Sequence, residues 1–110
     1  MIVAAIVLFV FAAVVMGTTV LAAAGVVKLN GAVGIRIGHF LDSQDAWEAG
    51  HLKALLPVTV GGLVAVAGGL VALQPAPSAG LVVVAYVLLF AFLTWGIVRG
   101  NAAAADAPSA

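Results

Sequence analysis

Residues 55–73 read Leu-Leu-Pro-Val-Thr-Val-Gly-Gly-Leu-Val-Ala-Val-Ala-Gly-Gly-Leu-Val-Ala-Leu, a run with no charged side chain. A hydrocarbon core of about 30 Å takes about 20 such residues at 1.5 Å rise each, so the run reads as a membrane-spanning helix. Lys53 stands just before it, and residues 74–80 (Gln-Pro-Ala-Pro-Ser-Ala-Gly) follow it. Two prolines and a glycine suit a tight connection rather than a continued helix. A second charge-free run, residues 81–98, leads to Arg99, and a third, residues 1–27, leads to Lys28. The first run is longer than the apolar core of a secretory signal and has no basic residues ahead of it, so it reads as a retained span. The expected fold is an all-α membrane protein: three transmembrane helices, with a short interfacial helix between the first and second.

Composition agrees. The 110 residues are 65% hydrophobic and 7% charged, against roughly 45–50% and 25% in soluble domains. Four basic and four acidic residues cancel, so no cationic face is available and nucleic acid is excluded as a main partner. The absence of cysteine removes thiolate nucleophiles, iron–sulfur clusters and cysteine-held zinc. No cofactor is expected. Residues 1–99 form one three-span domain, and the low-complexity residues 100–110 read as a disordered tail.

With three spans, residues 28–53 and the tail share one side of the bilayer, and all four Lys/Arg residues fall there. The positive-inside bias then puts the N-terminus outside and the C-terminus in the cytoplasm. Trp95 and Arg99 suit the cytoplasmic interface, with the guanidinium snorkelling outward.

Polar chemistry is concentrated between the first two spans. Six of the eight charged residues (Lys28, Arg36, Asp42, Asp45, Glu48 and Lys53) and both histidines lie at 28–53. Asn30-Gly31 is a turn signal; no Gly-Lys-Ser/Thr follows, so a phosphate loop is rejected in favour of a re-entrant or interfacial turn. Asp42 or Ser43 can cap a helix whose first turn is acidic. On that helix Trp47, His51 and Leu55 share a face, with Trp47 as an interfacial anchor and His51 paired with Glu48 or Asp45. Glu48 and His51 form one Glu-x-x-His half-site, whereas a bundle di-metal centre needs two plus further carboxylates, so no metal is assigned. Arg36, among aliphatic neighbours, needs partners: Asp42, Asp45 and Glu48 are the expected ones, and lipid phosphate is the alternative.

Asn30, Gly34-Ile35-Arg36, Ser43, then Trp47 and His51 four apart, running into a span with Gly61-Gly62, together resemble the SdpI-like family of small bacterial membrane proteins. Ile37 stands where that family usually has Thr, and Gly38-His39-Phe40 replaces a Pro-Trp-Thr-like continuation. The resemblance implies immunity to a secreted, membrane-active toxic peptide, recognised through residues 30–51, with Asn30, Gly34, Ile35, Arg36, Ser43, Trp47 and His51 as the positions carried over; Glu48, in the same segment, is a further candidate binding residue.

Gly61, Ala65 and Gly69 at i, i+4, i+8 form a small-residue stripe that lets helices approach closely. Three helices cover little of such a surface, which favours a homo-oligomer or a larger membrane complex besides the lipid bilayer itself. The alternative function is therefore a small accessory or structural subunit. A transporter ranks below both, because no ionisable group lies within a span, and an enzyme lacks any recognisable catalytic constellation.

Overall fold

A computed structural model describes residues 1–108 and is all-helical, with no strand among the described residues. Helix α1 spans Ile2–Ala23, α2 spans Gln44–Ala72 and α3 spans Ala79–Ala105; a 3-10 turn, Gly38–Leu41, precedes α2. All three α-helices are long and apolar enough to cross a membrane. The 29 residues of α2 extend over about 43 Å at 1.5 Å each, so this helix exceeds the hydrocarbon thickness of about 30 Å by about two turns. The molecule measures 53 × 21 × 18 Å.

Local chemistry sets the helix ends. Helix α1 stops at Ala23, short of the end of its charge-free run, in a Schellman arrangement: Gly25 takes φ +75°, and the Val26 N–H reaches back to the Leu21 carbonyl at 2.9 Å. Ser43, one of the two expected caps, starts α2, its Oγ accepting from the Ala46 N–H at 3.0 Å. Asp45 lies in the first turn, where the helix dipole favours an acid. A separate interfacial helix is not found. Nothing between Asp45 and Lys53 breaks the hydrogen-bond ladder, so the expected short helix is simply the first turns of α2.

The third helix also departs from expectation. It continues through Arg99 to Ala105, so residues 100–105 are helical rather than disordered. Four successive alanines propagate the helix, and contacts made by Gly100 and Asn101 with the 3-10 turn fasten it. Ser109 and Ala110 lie outside the described residues.

Helix α2 is the middle element, packed against both α1 and α3. Its glycines explain how. A Cβ on Gly61 would meet Phe92 of α3 at 3.0 Å, and one on Gly68 would strike Ala85 of α3. Gly62 faces Met16 and Gly69 faces Phe9, both on α1. The expected single stripe is therefore two: Gly61 and Gly68 serve α3, Gly62 and Gly69 serve α1, and Ala65 is fully buried. Adjacent residues point about 100° apart on a helix, so glycine doublets repeated every seven residues give α2 two close-packing faces. These faces are occupied within the chain, which removes the argument that the stripe needs an oligomeric partner. Helices α1 and α3 meet through Tyr86, whose hydroxyl donates to the Ala4 carbonyl at 3.0 Å, and through an edge-on Phe11–Phe90 contact. Thr18 and Thr19 bond back to the carbonyls of Val14 and Val15.

Pro57 lies inside α2. Its missing N–H leaves the carbonyl four residues earlier, that of Lys53, without its helical donor. Arg99 of α3 supplies one, its Nε donating to the Lys53 oxygen at 3.1 Å. Arg99 is thus turned inward to a backbone group through Nε rather than simply snorkelling to the interface. Outward-facing positions such as Ile6, Val10, Leu63, Leu70, Val83 and Val87 are exposed and apolar, the character expected of a lipid-facing surface.

Candidate functional site

The connection between α1 and α2 folds back along the bundle instead of lying over its end. Ala32, Val33, Gly34 and Ile35 lie beside Val14, Val15 and Thr18 of α1, while Arg36 and Ile37 lie beside Val58 of α2 and Leu93 and Ile97 of α3. Val15 precedes the end of α1 by eight residues, so the loop reaches back about 12 Å along that helix. Irregular backbone at such depth must find its hydrogen bonds within the protein.

Four side chains supply them. Trp47 Nε1 donates to the Val27 carbonyl at 2.8 Å, and Gln44 Oε1 accepts from the Leu29 N–H at 2.8 Å. His51 Nε2 accepts from the Ile35 N–H at 2.9 Å, and Asn101 Oδ1 accepts from the His39 N–H at 2.8 Å. The loop is thereby fastened at four points to the start of α2 and the end of α3.

Trp47 and His51 form the platform. Both are fully buried, with ring centroids 4.3 Å apart, and Phe40 meets the imidazole edge-on at 5.2 Å. His51 Nδ1 lies 2.7 Å from the Trp47 carbonyl. An acceptor at Nε2 and a donor at Nδ1 define a neutral imidazole with its proton on Nδ1. Gly34, at φ +103°, lies against this platform: a Cβ there would be 2.5 Å from Trp47 Cη2 and 3.1 Å from His51 Nε2. Phe40 is held between Gly50 and Gly100, each too close to its ring to carry a side chain unchanged.

These contacts correct three expectations. Trp47 is not a lipid anchor; its indole is withdrawn from the surface because the loop backbone offers it a carbonyl and Gly34 leaves it room. His51 pairs with neither Glu48 nor Asp45, since both ring nitrogens are engaged by backbone. Arg36 is not clamped by acids: its Nε donates to the Asn30 carbonyl at 2.9 Å, and the one ion pair among the described residues joins His39 to Asp42 at 2.8 Å. The His39–Asp42 pair spans a single 3-10 turn, which brings that acid to the histidine.

Asn30 organises the tip of the loop. Its Oδ1 accepts from the N–H groups of Ala32 and Val33, both at 2.8 Å, while its Nδ2 donates to the Lys28 and Val33 carbonyls. Arg36 then closes the loop onto the same residue. Ser43 Oγ, besides capping α2, donates to the Pro108 carbonyl at 2.7 Å. Glu48 accepts from Gln44 Nε2 at 3.1 Å and lies under Gly25. Glu48 and His51 therefore do not act as a half-site, and no group of three or more His, Asp or Glu able to hold a metal occurs among the described residues.

Sequence reasoning missed Gln44, Phe40, Gly50, Gly96, Gly100 and Asn101. Two carry a readable signal: Gly96-x-x-x-Gly100 is a close-packing spacing, and it faces Ala54, Pro57 and Gly50 of α2. No protein-family model, curated protein or solved structure matches the chain.

Proposed function

We propose that this chain is a non-enzymatic, SdpI-like protein of the bacterial inner membrane, with its N-terminus outside, that confers resistance to a membrane-active peptide through the loop at residues 30–51. One observation carries the reading. Five of the residues behind the resemblance (Asn30, Gly34, Arg36, Trp47 and His51) converge on a single re-entrant loop and hold its backbone in one shape. Asn30, Trp47 and His51 turn their polar side-chain atoms to backbone groups, and Ser43 is committed as a helix cap, so the site supports recognition by shape rather than bond-making chemistry. Trp47 and His51 act in this reading as positioning residues, and the loop presents the recognising surface. The localisation rests on all four basic residues lying at the loop end of the bundle.

The test is expression in a sensitive bacterium challenged with secreted membrane-depolarising peptides, with membrane potential and survival as readouts. Protection is expected from the wild-type chain and lost in Trp47→Ala at equal membrane abundance. Absence of protection against every peptide, together with co-purification of a larger protein at fixed stoichiometry in mild detergent, would instead identify an accessory subunit.

A further inference from the structure

The loop roofs an apolar cleft of about 250 Å³ that all three helices share: Val15 from α1, Val58 from α2, and Leu93 and Ile97 from α3, with Ile35 and Arg36 as the roof. Arg36 is the one charged residue on its wall. The cleft starts near the level where Arg99 meets Lys53 and runs toward the span interior, since Val58 lies five residues and Leu93 six residues deeper than those two, about 8–9 Å at helical rise. It is smaller than the roughly 300–1,000 Å³ clefts that enclose drug-sized molecules, and apart from Arg36 its lining side chains are aliphatic, as contact with a hydrocarbon chain requires.

The guanidinium at the rim has capacity to spare. Its Nε is used by Asn30, its Nη groups donate to nothing among the described residues, and no carboxylate lies within ion-pair distance. A guanidinium held through Nε offers its remaining donors to a phosphate in charge-assisted, bidentate geometry. An apolar chain slot beside an uncompensated arginine complements one kind of membrane component.

We propose that the cleft is a binding site for an anionic phospholipid, its phosphate on Arg36 and one acyl chain between α1 and α3. The inference stands apart from the peptide-resistance reading and is tested without any peptide.

The protein is reconstituted into phosphatidylcholine nanodiscs with and without phosphatidylglycerol, released, and its retained lipid measured by native mass spectrometry. One phosphatidylglycerol is expected to be retained in preference to phosphatidylcholine. Arg36→Gln should lower that preference about tenfold, the scale of one charged hydrogen-bonded contact, while Ile97→Phe, which fills the cleft from α3, should lower retention of both lipids. Lys28→Gln removes the same charge at the same end and should leave the preference unchanged. Equal loss in Lys28→Gln and Arg36→Gln would mean diffuse surface attraction and would overturn the proposal, as would unaltered retention in Ile97→Phe of native helix content. Displacement by soluble glycerol phosphate would make the headgroup alone the ligand and overturn it too. A photoreactive residue at Ile37 that captured a polypeptide instead of lipid would assign the cleft to a protein.

Discussion

Gly34→Ala should release the re-entrant loop while leaving the three helices folded. The added Cβ would lie 2.5 Å and 2.6 Å from two carbons of the Trp47 ring, and that ring is buried and pinned through Nε1. Holding a non-glycine residue at φ +103° costs about 1–3 kcal/mol, and overpacking against a rigid indole adds about 1–3 kcal/mol. If the indole retreats instead, the Val27 carbonyl and the indole N–H lose each other as partners, at about 1 kcal/mol. Relief of one strain incurs another, so the terms overlap, and the net effect is about 3–4 kcal/mol, on the order of 10²–10³ in the opening equilibrium of the loop. Amide hydrogen exchange at Leu29 and Ile35 in nanodiscs reads this directly, with Trp47 fluorescence in a Trp95→Phe background as a second probe. Gly31→Ala is the control, because a Cβ there meets nothing within 4 Å and protection should persist. An Ile35 amide as slow to exchange in Gly34→Ala as in the wild type would refute the platform.

Three further outcomes follow from the same contacts. Arg99→Ala should cost about 1 kcal/mol in the wild type but nearly nothing in a Pro57→Ala background, where residue 57 regains an N–H for the Lys53 carbonyl; additive effects in a double-mutant cycle of thermal stability would exclude the bridge. Nitrogen-15 spectra at neutral pH should show His51 protonated on Nδ1 and bare on Nε2, and His51→Leu should cost about 1–3 kcal/mol of loop stability by leaving the Ile35 N–H unpaired, read as faster exchange of that amide. Asn101→Ala should free the His39 N–H and loosen the 3-10 turn by about 1 kcal/mol, with exchange at His39 and Phe40 accelerated while Ile35 stays protected.

Much of the loop was legible as chemistry but not as geometry. The Asn30-Gly31 turn follows from side chains that bond their own neighbours, and the bonds it makes are all within four residues. Arg36 was legible only as a residue in need of partners. Counting nearby acids pointed to Asp42, Asp45 and Glu48, yet the structure uses the carbonyl of Asn30, because a backbone oxygen six residues away is already within reach once the turn forms. Trp47 misled for a related reason: a tryptophan at the end of a span is an anchor if its N–H faces headgroups, and nothing local announces that a carbonyl twenty residues earlier will be brought to it.

The three apolar helices, the 74–80 turn, the Ser43 cap and the clustering of charge at one end are all readable along the chain, since each follows from hydropathy, backbone restriction or hydrogen bonds within a few residues. Tertiary structure alone decided that glycine doublets serve two neighbours, that α3 runs on to Ala105, that Arg99 completes the carbonyl left by Pro57, and that the loop turns back onto Trp47 and His51. These depend on which side chains packing brings to which backbone groups, at about 3 Å and across 16 to 46 residues of chain. A single chain position carries no record of that proximity until the helices have packed.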